Sequence, residues 1–571
     1  MKTIKYFKYI AFILLLGAGF TSCEDDNLGE APRLFRPIAS LENQNNNIIA
    51  TWDNIKGAVT YELELLKAEG ENENGDPIFN SYREAKAASS PYTFENVEWD
   101  EKYMLKIKAI GSDIESKFYE TDDLSVIFIS KMKEIRTIDV AALIIWEVKG
   151  DPITSINVVP DNGDETIEVK VSQQEFESGQ KGIYGLTPET SYKLYAYSGD
   201  EQTGDTYQGR ILFKTQASED FDSKYGAGKY IDLREVSDSA TILQSKEIKD
   251  KMDAIDGLAL ILKGGYEYKV NNSVKFKNSV TFVTGLSLEG NAVFIQSGGM
   301  QAESNAKVGH ITFEKINFIS DKAYEKPISE YTAKGFDGRQ VYNVNGTNST
   351  IEEMTFKNCR IEGYRAIVRL QSDGEGVRNL IFDECTINGI GDQGAVTTNN
   401  KSGAIIENLT FKNSTLFNIV MLCDLRASEK VPTLNITDCT FCYAPIENKE
   451  NANNPLLRFG SNPVNANIEN TIFGPSMATT DSKGELLKTY NAGTAGSIML
   501  NATEASIKVT NSYKTNFEWT AINEKTYPVE GLSSISSDET NLFVDPVKED
   551  FNIKLNFEGS KTSGAVKWRM P

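Results

Sequence analysis

Apolar and polar positions alternate over short stretches through most of the chain. In the C-terminal half the alternation recurs as six seven-residue segments: TFEKINF (312–318), TFKNCRI (355–361), IFDECTI (381–387), TFKNSTL (410–416), NITDCTF (435–441) and NIENTIF (467–473). Their second positions, Phe313, Phe356, Phe382, Phe411, Ile436 and Ile468, lie 25 to 43 residues apart, and five of the six carry Asn, Asp or Glu fourth. Period-two alternation between Gly and Asn turns predicts a short strand in each. No single such coil buries its own apolar side, so the repeat predicts a solenoid of stacked strands.

A second strand is expected after each segment, at 366–371, 395–399, 420–426, 456–459 and 486–490. Side chains alternate faces along a strand. With Val368, Leu370, Met421, Cys423, Leu457, Phe459 and Leu487 inward, Arg369, Gln371, Thr397, Asn399, Asp424, Arg426, Arg458, Lys488 and Tyr490 fall on one outer face. Upstream, apolar residues at helical spacing predict a helix between Asp238 and Ile255, placed to cover the open first end of the solenoid. Strands follow at 258–262, 274–277, 280–283 and 292–295, while 507–509 and 551–555 read as further rungs.

The N-terminal third reads as short strands, with Trp52 followed by a Tyr-led strand and Tyr103 further on. This pattern, and the run of Leu186, Pro188, Thr190 and Tyr192, resembles fibronectin type III domains, in which Trp52 and Trp146 would be core anchors and Tyr103 the corner tyrosine. The helix, the strand ending Lys263-Gly-Gly265 and the short rungs after it resemble the first coils of pectate-lyase-like proteins. The expected fold class is therefore all-β: two fibronectin type III-like β-sandwiches (31–130 and 131–217) followed by a right-handed parallel β-helix (218–571) with an N-terminal capping helix.

Composition narrows the partners. Forty per cent hydrophobic residues is ordinary for a folded protein, whereas a formal charge of -22 over 571 residues disfavours nucleic acid or an anionic bilayer as the main partner. Lys2, Lys5 and Lys8 precede an apolar run of twelve residues, 9–20, too short to span a bilayer, and then Thr21, Ser22 and Cys23. The pattern resembles a bacterial lipoprotein signal, with 1–22 removed and Cys23 acylated; the acidic tether that follows (23–30) resembles the surface-export signal of Bacteroidetes-type lipoproteins. That resemblance implies a lipid anchor in the outer membrane and exposure on the cell surface. Of the other cysteines, Cys359, Cys385 and Cys439 share the fifth position of their segments, where the remaining copies carry Ile316, Ser414 and Thr471, so they read as a buried ladder rather than as disulfides or zinc ligands.

The outer row carries the chemistry. Guanidinium binds carboxylate through two parallel hydrogen bonds, so Arg369, Arg426, Arg458 and Lys488, with Gln371, Asn399, Asp424 and the stacking ring of Tyr490, suit a linear polymer bearing carboxylates. Cations balanced by neighbouring acids would give the same pattern. Resemblance to lyases of this fold implies Arg369, Arg426 or Arg458 as base and Ca²⁺ held by Asp392 and Asp424, yet no dense carboxylate cluster faces the row. The single histidine, His310, reads as a strand residue, which disfavours nucleophile–histidine mechanisms. Three readings stay open: a non-catalytic surface binder of an acidic, pectin-like polysaccharide, resembling the accessory lipoproteins of outer-membrane glycan import complexes; a polysaccharide lyase; and an adhesin without glycan specificity. The first is the preferred expectation.

Overall fold

In the computed structural model the described residues are 33–199, 206–234, 239–325, 338–344, 347–398, 403–426, 432–445, 456–460, 462–474, 477–480, 486–490, 499–501, 505–515 and 526–571. They form two compact units. One holds 33–135, 143–183 and 190–214; the other holds 136–142, 184–189 and 215–571.

The N-terminal part folds as antiparallel sandwiches of the fibronectin type III kind. In the first, the chain alternates between a three-stranded sheet (Ala39–Gln44, Asn47–Trp52, Tyr92–Phe94) and a five-stranded sheet built on Thr60–Glu71 and Glu101–Ile110. The burial of Glu101–Ile110 alternates strictly, because one face meets the core and the other meets water. Trp52 is buried with its ring 5.2 Å from that of Tyr61. Tyr103 is the corner tyrosine: its hydroxyl donates to the Glu98 carbonyl at 3.0 Å, which satisfies a phenol that burial removes from water. In the second sandwich Trp146 is also buried, and its indole N–H donates to the Phe176 carbonyl at 3.0 Å. Both tryptophans are committed to packing rather than to a sugar face.

From Tyr230 the chain winds into three parallel sheets of ten, ten and nine strands, visited in the order first, second, third within each coil. Ser245 caps the helix Lys246–Ala254 by accepting from the Ile248 N–H, and Ile248 and Met252 seal the first end of the core. A column of Phe282, Phe313, Phe356, Phe382 and Phe411 runs up the interior with centroids 4.8 to 5.4 Å apart. The third sheet ends where Thr526–Pro528 pairs antiparallel with Met499–Asn501.

The seven-residue segments are corners rather than single strands. In TFEKINF the first-sheet strand Lys307–Glu314 stops, Lys315 adopts φ 56°, and the second-sheet strand Ile316–Ser320 begins. The fourth residue of every copy does the same: Asn358, Glu384, Asn413, Asp438 and Asn470 all have φ between 45° and 55°. Asn and Asp tolerate this left-handed conformation better than most residues. Their side chains also bond along the stack: Asn470 donates to Asp438 Oδ1 at 3.0 Å and accepts from Asn511 at 2.8 Å. Asn470→Ala is therefore expected to destabilise the β-helix by about 2 kcal/mol, and Asn470→Gly by only about 1, since glycine loses the ladder bonds but not the backbone conformation. Urea midpoints of the two variants measure the difference.

The fifth position lines the interior as expected: Cys359, Cys385 and Cys439 are buried free thiols, and Cys385 N–H donates to Ser414 Oγ of the next coil at 3.0 Å. Two further sequence expectations fail. The stretch 486–490 is not a coil: Leu486–Tyr490 pairs antiparallel with Met477–Thr480, and the third-sheet rung is Met499–Asn501. A long excursion pairs with itself locally before the chain rejoins the stack. Nor is 551–555 a rung, since Asp550–Ile553 pairs antiparallel with Phe543–Asp545, and Phe543 and Phe551 cover Phe417 and Tyr443 outside the second sheet.

Candidate functional site

The three outer faces of the β-helix differ in what they leave available. On the first sheet the row Glu314, Lys357, Asp383 and Lys412 alternates in sign from coil to coil, with Lys412 and Asp383 3.7 Å apart, so its charges are internally balanced. His310 is a half-buried strand residue of this sheet, opposite Glu353. The second sheet is covered by the C-terminal segment from the coil of Arg360 onward. Arg360 makes two 2.8 Å bonds to Glu549, and the Trp568 indole donates to Thr415 at 2.7 Å.

The third sheet carries the arginine row. Its parallel register aligns Asn343, Arg369, Thr397, Asp424, Arg458 and Asn501 in successive coils. Strand spacing of about 4.8 Å puts Arg369 and Arg458 roughly 14 Å apart along the stack. Inward residues behave as expected: Val368, Leu370, Met421, Cys423, Leu457 and Phe459 are all buried. Thr397 and Asp424, on the outer side of the alternation, are nevertheless buried as well.

Asp424 is the electrostatic centre of this face. Its carboxylate takes a two-bond grip from Arg426, 2.8 Å each, and lies 3.7 Å from Arg458. Arg365, just before the third-sheet strand Ala366–Leu370, grips Asp392 in the same way at 2.7 and 3.1 Å. Burial pulls the Arg458 guanidinium below its ordinary pKa against the opposing pull of Asp424; burial, helped by Arg365, does the same to Arg369. Among the described residues, Arg365 and Arg426 are each gripped by an aspartate, and Arg458 approaches the same Asp424.

Asp392 and Asp424 are poorly placed as the cation pair of a lyase, because each is engaged by an arginine. Among the described residues no three His, Cys, Asp or Glu side chains gather as a metal site. Gln371 closes the Arg369 strand, and its backbone N–H donates to Glu375 at 3.0 Å. Asn399 and Cys23 lie outside the described residues, and Lys488 and Tyr490 are drawn off the row onto the hairpin.

Sequence reasoning missed Arg365 and Glu375. An Arg directly before the third-sheet strand in consecutive coils, Arg339 and Arg365, was the available signal for the first. Glu375 is wholly buried in the turn between the third-sheet strand and Gly376–Asp383. One of its oxygens accepts from both Gln371 and Ser372, the other has no partner, and burial raises its pKa to about 7.

No protein-family model matches the chain, and no curated protein does. Solved structures that match include a two-domain fibronectin type III segment of chicken tenascin, at 15% identity and TM-score 0.15, covering 32% of this chain and 99% of that one. The FN1-FN3 domains of chicken CNTN1 match at 16% identity and TM-score 0.14, covering 33% of this chain and 68% of that one.

Proposed function

We propose that the β-helix binds an acidic polysaccharide lengthwise along the outer face of its third sheet, on a chain tethered to the outer membrane through acylated Cys23. The observation that carries the reading is the row from Arg369 to Arg458. It lies on a sheet other than the one the C-terminal segment covers, and guanidinium forks match carboxylates two bonds at a time. A Bacteroidetes-type surface lipoprotein that hands such a glycan to an import complex is the finer form of this reading. Its support is the sequence pattern around Cys23.

Affinity electrophoresis through polygalacturonate, with and without Ca²⁺, tests it alongside the absorbance of unsaturated uronate. Retardation without product is the expected result. Arg458→Ala is expected to weaken binding about tenfold, the loss of one charge-assisted pair. Asp424→Asn is expected to tighten binding about threefold, because it releases Arg426 and Arg458 from their internal acid. A cluster that merely solvates the surface predicts no retardation and no response to either change. The depressed pKa of Arg369 and Arg458 favours one second reading, a lyase with an arginine base, and formation of unsaturated product would replace the binding reading with it.

A further inference from the structure

The first sandwich exposes an apolar end. Phe35 is 85% exposed, Ile38 72%, Val59 63% and Phe118 43%. Backbone bonds bring their neighbourhoods together: the Leu34 N–H donates to the Glu115 carbonyl at 3.2 Å and the Val59 N–H to Ile110 at 2.7 Å, while Leu34 lies against Gly57. Lys108 joins Phe118 to the same end, with its ammonium 5.2 Å from the ring centroid and 3.0 Å from Glu115. Ile38 precedes Ala39, which pairs with Trp52. Single exposed apolar residues are ordinary, but four at one end of a small sandwich form a patch.

The opposite end of this sandwich is already engaged. Tyr207 bonds to the Asp100 carboxylate, Arg210 bonds to Glu101 at 2.8 Å, and the Phe128 and Tyr207 rings meet at 5.2 Å. The free apolar end is therefore the end where the chain enters from Cys23, twelve residues before Phe35.

We propose that this end rests on the bilayer, with Phe35, Ile38, Val59 and Phe118 inserted at the headgroup boundary and the second sandwich directed away from the membrane. The inference rests on the lipid-anchor reading of Cys23. Twelve residues reach at most about 40 Å, so an acylated Cys23 holds the patch near the lipid surface at an effective concentration on the order of millimolar. Contacts too weak to recruit a free protein then suffice to orient a tethered one. Exposed Arg36, Lys56 and Lys117 flank the patch and suit anionic headgroups, against exposed Asp53 and Asp113 and the paired Glu115; apolar insertion supplies the main attraction.

The test supplies the tether independently of acylation. The chain from residue 24 onward, carrying an N-terminal hexahistidine tag, is held on phosphatidylethanolamine and phosphatidylglycerol vesicles that contain a nickel-chelating lipid. A polarity-sensitive fluorophore is attached at Ile38→Cys or, at the engaged end, Ile129→Cys; Ile129 is 91% exposed, and the native described cysteines are buried. The expected result is a blue shift, and quenching by a bilayer-embedded quencher, at position 38 but not at 129. Adding Phe35→Ser and Val59→Ser is expected to return the probe at 38 to its aqueous emission. Overturning results are no shift at 38, equal shifts at both positions, or a shift at 38 that grows with protein concentration without vesicles, which would assign the patch to a second copy of the chain. The mass of the mature N-terminal peptide decides acylation of Cys23 separately, so failure of the anchor is distinguishable from failure of docking.

Discussion

Phe382→Ala is expected to lower the unfolding free energy of the β-helix by about 4 kcal/mol. Phe382 is fully buried between Phe356 and Phe411, with centroids 5.0 and 4.8 Å away and ring planes within 6° of parallel. Truncating a buried Phe removes its transfer free energy and leaves a cavity, typically costing about 3 to 5 kcal/mol. This site belongs at the upper part of that range, because the neighbouring rings are fixed to their own coils. Phe382 stands in parallel register with Phe356 below and Phe411 above, so neither backbone can move into the void without slipping its ladder. The lost ring contacts contribute roughly 1 kcal/mol more than area alone. Urea unfolding followed by far-ultraviolet circular dichroism measures the effect. A loss below about 1 kcal/mol would mean that the column is not a continuous core.

That column was legible in the sequence as the recurring second position of six segments; the corner it sits beside was not. The burial pattern of Lys307–Glu314 and Ile316–Ser320 puts Ile311, Phe313, Ile316 and Phe318 inside, a spacing of two, three and two. Strict alternation would have turned Ile316 outward. The extra residue, Lys315 or its Asn, Asp or Glu equivalents, was the visible sign of a left-handed turn, since a run of Asx at a strand centre contradicts strand propensity. The outer row was legible for the same reason as the column, because period two fixes the face. What period two omits is the neighbour. Arg426 lies two residues past Asp424, in the turn that follows the strand Cys423–Asp424, but Arg458 reaches the same carboxylate only through the stacking of the next coil. The hairpin that removes Lys488 and Tyr490 from the row depends on local pairing that the apolar pair Leu486-Leu487 disguised as a rung.

Glu375 was the least legible residue of the site, and it carries the second large effect. Gln371-Ser-Asp-Gly-Glu-Gly376 reads as a solvated turn, yet Glu375 is buried because the next coil lies across it: the Ile405 N–H donates to the Glu375 carbonyl at 2.8 Å, and a Cβ on Gly376 would meet Ile405 at 3.1 Å. Burial, with a smaller push from Asp373, raises the carboxyl from its ordinary 4.5 to about 7 despite two backbone hydrogen bonds that favour the anion. The folded chain therefore holds a proton between pH 4.5 and 7 that the unfolded chain releases. The stability this proton confers is fully present below pH 4.5 and is lost as pH rises through 7, by about 3 kcal/mol in all. Glu375→Gln is expected to abolish that slope. Both N–H groups donate to a single oxygen, so the amide oxygen can keep them, and a neutral NH₂ replaces the partnerless charged oxygen. At pH 8 the variant should be the more stable protein, by about 1 to 2 kcal/mol after the cost of an unsatisfied amide donor. Urea midpoints of both proteins at pH 5 and pH 8 decide it. Parallel losses between the two pH values would show that Glu375 does not titrate in this range, whereas a loss confined to the native protein places a neutral-pH proton four residues from Gln371, just past the end of the strand that carries Arg369.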